Sequence, residues 1–584
     1  MEGTGKHGGD QLSIKKSEPV LIEPETRTHS GFFFLSNLDQ VITNFVHTVY
    51  LYKAKKGEDS RDTLSDTFKQ SMAKILVHYY PLAGRLRLGS DGKYNVECTN
   101  EGVLFVEARA NCNMDQVDVQ VITDDHSETT GKLLYRSPGP ENILEMPLMT
   151  AQVTRFKCGG FALGMSISHC MADGISAMEF IKSWAETARG MPLTTKPVLD
   201  RSILRSRQPP KIDFPFGQYA PAETSNLSNI SNPFQGEQIL TKCFLFDSNK
   251  LAILKNMAME DGTIKSCSNF TALTAFVWRA RCKALQMNPD QTTQLLLIVD
   301  VRSKLNPPLP KGYFGNGIAI CSCLGRAAEL IKNPLSFAVE EVQNGIKMVN
   351  EEFVRSWIDY FEVKRAKDFR LPSHFIVTSW TRLPIECADF GWGEPAQFGC
   401  ANLPADSGVF LPHGKEKKGI NLILDLPVTA MSTFQELMLL SAIRASGEGS
   451  FKPSFNSLGY FTVTSFNIGV NSAQAASSSS LLINNLLSPA MASKSSLSYA
   501  SVRYCFKHLV NSPEDSESRP NGFSTMTLVH PLNEEALRLA LLTTSTNMFG
   551  GIDNRFSFLV PQLYICNTVA ISSSKFLRYD GFPV

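Results

Sequence analysis

Phe161-Ala162-Leu163-Gly164-Met165-Ser166-Ile167-Ser168-His169-Cys170-Met171-Ala172-Asp173-Gly174 is the stretch on which the reading of this chain turns. Phe161, Leu163, Met165, Ile167 and His169 share one face of an extended chain, and Ala162, Gly164, Ser166 and Ser168 take the other. Before it, Val153 to Lys157 and the turn Cys158-Gly159-Gly160 complete a hairpin, the glycines suiting the positive φ of a tight turn. His169 thus ends a buried strand face at the edge of a sheet. From Gly174 the spacing turns helical, with Met178, Ile181, Trp184 and Ala188 on one stripe and Asp173 at the N-cap position. An imidazole of pKa about 6.5 displayed at such a turn can take an alcohol's proton near neutral pH. A core histidine beside a plain capping aspartate would look the same, so this run alone leaves both readings open.

A second signature, Asp389-Phe390-Gly391-Trp392-Gly393, follows Thr378-Ser379-Trp380-Thr381-Arg382-Leu383-Pro384. A kinase magnesium loop is excluded, because neither a glycine-rich phosphate loop nor a His-Arg-Asp loop precedes it. Together with His169 and Asp173, this run resembles the plant BAHD acyl-CoA-dependent acyltransferases. Supporting matches occur in family order at Leu35-Ser36-Asn37-Leu38-Asp39, Tyr80-Pro81-Leu82-Ala83-Gly84-Arg85, Asp300-Val301-Arg302 and Gly312-Tyr313-Phe314-Gly315-Asn316-Gly317, and the resemblance spans about residues 15 to 443.

The resemblance implies an α/β fold of two similar chloramphenicol-acetyltransferase-like domains, with mixed sheets and flanking helices meeting along a solvent channel. It implies His169 as the catalytic base, Asp173 in a salt bridge to Arg302 that orients the turn, and Thr378 and Trp380 as donors to the oxyanion. Asp389 belongs with the supporting residues. Gly174, Phe390, Gly391, Trp392 and Gly393 are read as structural, the two glycines around Trp392 marking a tight backbone turn. The co-substrate is an acyl-CoA thioester, with no cofactor bound permanently and no metal. A neighbouring cysteine, Cys170, is a rival nucleophile, but successive strand residues point to opposite faces and should keep its sulfur from the imidazole.

Within the family, Lys16 to Val20, Phe34 to Gln40, Phe156 to Phe161 and Ser356 to Glu362 look most like members that pass hydroxycinnamoyl groups, such as feruloyl, to ω-hydroxy fatty acids or fatty alcohols. Shikimate, quinate or a polyamine remain alternative acceptors. A shikimate-type acceptor would call for a cation, with Arg365 and Arg370 as candidates. A non-catalytic binding protein on the same fold is the alternative from another class, since fold does not fix function.

Composition bounds the partners. The 584 residues are 43% hydrophobic and 19% charged, and 57 basic against 56 acidic side chains leave a net charge of +1, which gives no electrostatic reason to expect nucleic acid. The thirteen cysteines lack metal or redox spacing, even at Cys321 and Cys323, and read as reduced thiols. The polar start carries no apolar leader and no run of about eighteen apolar residues occurs, so the expectation is a cytoplasmic monomer with no transmembrane segment, acting on small molecules.

Along the chain, residues 1–14 are expected to be a disordered terminus, 15–208 a first acyltransferase domain, and 209–238 a crossover rich in Pro, Ser, Asn and Gln. A second domain at 239–443 holds a helix near Thr271 to Leu285, an apolar strand at Leu295 to Val299, and a last strand in which Ile420, Leu422, Leu424 and Leu426 alternate. Residues 444–502 read as a Ser-rich linker and 503–584 as an extension with no assigned chemistry.

Overall fold

A computed structural model describes residues 12–55, 63–117, 130–136, 142–216, 236–364, 374–401, 403, 406–414 and 416–445. Residues 1–11, 217–235 of the crossover, Arg365 and Arg370, and the linker and extension beyond 445 lie outside this set. Residues 12–14, assigned from the sequence to the terminus, are among those described. Leu12 and Ile14 pack against a small apolar cluster that includes Val49, Leu51 and Phe156, and this draws the end of the polar terminus into a strand.

The first part of the chain supplies β1 (Ile14–Lys16), β2 (Val20–Ile22), β3 (Phe32–Phe33), β4 (Phe45–Tyr52), β5 (Arg85–Leu88), β6 (Tyr94–Glu97), β7 (Val103–Ala110), β8 (Met149–Arg155) and β9 (Phe161–Ser168). The second part supplies β10 (Ile239–Phe246), β11 (Thr292–Asp300), β12 (Ile318–Arg326), β13 (His374–Ser379), β14 (Gln397–Cys400), β15 (Ser407–His413) and β16 (Gly419–Pro427). One sheet runs β1-β7-β8-β9-β4-β14 with β2 also on β7, a second runs β10-β16-β15-β13-β11-β12, and β3-β6-β5 form a small third. Both large sheets are mixed: β7 and β8 run parallel in the first, and β13 runs parallel to both β11 and β15 in the second.

The hairpin read from the sequence is β8 and β9, antiparallel with Val153 opposite Leu163. Phe161, Leu163, Met165 and Ile167 enter a core shared with Phe68, Met72 and Ile75 of the helix Leu64–His78 and with Met178, Ile181 and Trp184 of the helix Gly174–Ala188. The opposite face is buried as well, and there Ser166 Oγ lies 2.6 Å from His47 Nδ1 on β4. In the second core, Trp278 on the helix Asn269–Ala284 packs with Leu295 and Leu297 of β11 and Val339 of the helix Leu335–Met348.

Two features interlock the halves. Leu422 and Leu424 of β16 face the second core, whereas Ile423, with Val409 and Leu411 of β15, packs into the first. In addition β14, from the second part of the sequence, pairs antiparallel with β4 at the edge of the first sheet, where Phe398 lies 4.8 Å from Tyr50 ring to ring. Among the described residues no helix is long and apolar enough to cross a membrane.

Candidate active site

β9 ends at Ser168, where Phe45 is the last partner on β4, and the backbone N–H of His169 reaches Asn44 O at 2.9 Å before the chain turns. The His169 side chain is half-buried, and its Nδ1 is wholly buried with no hydrogen-bond partner among the described residues. Burial pulls its pKa below the ordinary histidine value, while the Asp173 carboxylate, its own backbone, the Asn316 amide and Asp39 pull it back up. A neutral imidazole near pH 7 is the form a general base requires.

Asp173 is both things the sequence allowed. As N-cap of the helix Gly174–Ala188 its Oδ1 accepts from Ser176 N at 3.0 Å, and the same oxygen receives Arg302 Nη2 at 2.8 Å; Oδ2 accepts Gly317 N at 2.8 Å. Burial works against the charge on Arg302, yet Asp173 and Asp300 outweigh it and hold the guanidinium pKa above its usual value. The pair thus ties the end of β9 to the segment after β11.

A second buried network lies under the same turn, and the sequence reading missed it. Arg201 Nη1 meets Asp39 Oδ2 at 3.0 Å, both side chains being 0% exposed, and Arg201 also donates to Cys170 O at 3.3 Å and Met171 O at 2.8 Å. Asn316 Nδ2 donates to Asp39 Oδ1 at 2.9 Å and to His169 O at 2.8 Å, and its backbone N–H reaches Asp39 Oδ1 at 3.0 Å. The glycines of the 312–317 segment carry the signal that was available. A Cβ on Gly315 would press on Tyr313 Oη at 2.7 Å and Arg201 Nε at 2.9 Å, and one on Gly317 on Arg302 Nη1 at 2.8 Å, so neither position has room for a side chain beside the two guanidiniums.

Cys170 fails as a nucleophile on electrostatic grounds. It is fully buried, its Sγ points to Ile42 O at 3.6 Å, and burial pushes its thiol up to about 12, so the reactive thiolate is absent near neutrality.

Asp389 lies apart from this network. Its Oδ1 accepts Gly391 N at 2.8 Å and Gly393 N at 2.9 Å, both glycines having positive φ, and its Oδ2 stands 3.5 Å from Arg189 Nη1 at a part-exposed site. The aspartate folds its own turn so that Phe390, 1% exposed, enters the first core between Phe68 (4.7 Å) and Trp184 (5.1 Å), while Trp392 stands edge to face with Phe161 at 5.3 Å. Gly174 opens its helix with open space about it except for Leu383, whose methyls a Cβ would touch at 3.4 Å.

Thr378 is on β13 and Trp380 just beyond its end, although Trp380 N–H still bonds Phe410 O at 2.8 Å and so prolongs the ladder with β15. The Trp380 ring leans on Phe398 of β14 at 5.8 Å. The hydrogen bonds described above that hold the His169 turn do not include either residue.

The Transferase family matches residues 12–440. Omega-hydroxypalmitate O-feruloyl transferase of Arabidopsis thaliana is 48% identical over 443 residues, which are 75% of this chain and 94% of that protein. Fatty alcohol:caffeoyl-CoA acyltransferase of Arabidopsis thaliana is 46% identical over 429 residues, 73% of this chain and 98% of the relative. Among solved structures, vinorine synthase superposes with a TM-score of 0.57 at 23% identity, covering 72% of this chain and 96% of its own, a likeness of fold. By extent and identity of match the chain belongs to the Transferase family, that of the BAHD acyl-CoA-dependent acyltransferases.

Proposed function

We propose that this enzyme transfers a hydroxycinnamoyl group from its CoA thioester to the hydroxyl of a long-chain ω-hydroxy fatty acid or fatty alcohol, with His169 as general base. The observation that carries the chemistry is the buried Asp173–Arg302 bridge at the foot of a turn whose histidine keeps its Nδ1 away from water. The choice of donor and acceptor leans on the two relatives at 48% and 46% identity, whose names specify a feruloyl or caffeoyl donor and an ω-hydroxy acid or fatty alcohol.

In this reading both substrates are bound together. His169 takes the hydroxyl proton as the oxygen bonds to the thioester carbonyl carbon, the C–S bond then breaks, and the proton passes from the imidazole to the departing thiolate. Thr378 Oγ1–H and Trp380 Nε1–H are assigned to the developing oxyanion. A thioester already has a good leaving group, so no covalent acyl-enzyme is needed, in keeping with the protonated state of Cys170. The acyl-CoA is a co-substrate, and the scheme calls on no permanently held cofactor.

The test is release of CoA from feruloyl-CoA by the full chain, offered 16-hydroxyhexadecanoic acid, hexadecanol, shikimate or spermidine in turn. Release that depends on one of the first two is the expected result. Release only with shikimate or spermidine would move the acceptor assignment, and none with any acceptor would remove the transferase reading.

A further inference from the structure

We propose that Asp39 is the hub of a buried clamp on the backbone of the His169 turn, and that Asn316, fixed by that hub, positions the imidazole by holding the His169 carbonyl. The proposal rests on the acyl-transfer reading above, in which His169 is the base.

Where β9 ends, the carbonyls of residues 169, 170 and 171 leave the sheet ladder, and buried carbonyls need donors. Each finds one on a side chain from elsewhere in the sequence. Asn316 takes His169 O, and Arg201 takes Cys170 O and Met171 O. Both donors converge on one carboxylate: Asn316 on Asp39 Oδ1 and Arg201 on Asp39 Oδ2. Asp39 is itself locked from behind, since Oδ2 also accepts Ser36 N at 2.7 Å and Ser36 Oγ at 2.6 Å. A buried ion pair contributes little net stability, because desolvating two charges offsets most of their attraction. Its contribution here is the placement of three consecutive peptide groups.

The second step concerns the surroundings of the imidazole itself. Both Asn316 Nδ2 hydrogens are committed to oxygen acceptors, so the amide cannot be turned over without setting its oxygen against Asp39 Oδ1 and His169 O. That fixes the position of Asn316 Oδ1, which is buried and has no hydrogen-bond partner among the described residues. His169 Nδ1 is buried and unpartnered in the same way. Asn316, together with Asp173, Asp39 and the ring's own backbone, favours the protonated imidazole. The clamp therefore places the ring through the backbone that carries it, His169 O being the atom that Asn316 holds. The charged groups around this ring are Asp173 and Asp39, with Arg302 and Arg201 paired to them.

The experiment compares wild type with Asn316→Ala and Asp39→Asn as full chains, with Asn316→Ser in reserve should the alanine variant not fold, thermal unfolding serving as the check. Steady-state kinetics are taken across pH, and the imidazole is read by nitrogen NMR on protein labelled with 15N-histidine. Ten histidines share that spectrum, so His169 is assigned by the signal missing in His169→Gln. We expect Asn316→Ala to lower kcat about tenfold to a hundredfold with KM unchanged. Because the amide favours the protonated ring, its loss lowers the pKa of His169, and the acid limb of kcat/KM moves to lower pH. The His169 nitrogen signals should shift as the ring is displaced, and Asp39→Asn should shift them in smaller measure. A folded variant with an unmoved limb and an unchanged nitrogen pattern overturns the proposal, even if kcat falls. The NMR arm is independent of turnover, so it still reads the placement of the ring if wild type proves inactive on every acceptor offered.

Discussion

The His169 turn and the Asp389–Gly393 turn both set an aspartate near a glycine against the first core, and they are held by opposite means. The first is gripped from outside by side chains far off in sequence: Arg302 and Gly317 on Asp173, Arg201 and Asn316 on the carbonyls that follow β9. The second is closed from within, Asp389 taking the N–H groups two and four residues on, and is anchored by aromatic rings. An outside grip specifies where a group sits to within a hydrogen bond. A self-closed turn with a buried ring chiefly supplies apolar burial. Similar motifs therefore divide into one concerned with geometry and one concerned with stability.

That division can be broken or sharpened in four places. His169→Ala should cost about 10² to 10⁴ in kcat, the usual worth of a general base, while the thermal midpoint stays near wild type; acceptor-dependent CoA release measures it. Phe390→Ala should do the converse, lowering stability by about 3–5 kcal/mol in denaturant titration, with kcat per folded molecule retained. If it abolished turnover in folded protein, the aromatic turn would have to be moved to the catalytic side of the comparison.

Asp173→Asn keeps a good cap and removes the charge, so it isolates the bridge from the cap. We expect kcat to fall up to about 10²-fold from misplacement of the base. Its carboxylate favours protonated His169, so without it the acid limb of kcat/KM shifts downward in pH. Unchanged kcat would leave Asp173 as a helix cap alone. Smallest is Asp389→Asn: its pair with Arg189 is part-exposed, and the loss should stay below about 1 kcal/mol in the same titration.

How much of this was legible in the sequence depends on the kind of signal. Period-two alternation placed Phe161 to Ile167 on the first core's face, and the helical stripe of Met178, Ile181 and Trp184 did the same for the following helix, because apolar burial leaves a periodic trace. The Asp173–Arg302 pair came from family resemblance, since two charges 129 residues apart have no local pattern. Asp39, Arg201 and Asn316 were missed for that reason. Asp39 and Asn316 both stood in motifs quoted for the resemblance, and neither motif hints at a shared partner. The transfer of β14 to the first sheet was equally hidden, four residues being too few to declare a side or a sheet.

The edge strand β14 also has a consequence for how the protein is made. Its partner β4 leaves the ribosome about 350 residues earlier, and at roughly 5–20 residues per second that is an interval of about 20 to 70 s during which one edge of β4 has no neighbour. The nascent sheet offers an open row of amide and carbonyl groups for that time, a template for pairing with other chains. Completion of the N-terminal sheet is therefore a late event, and a chain truncated before Gln397 would carry the exposed edge permanently.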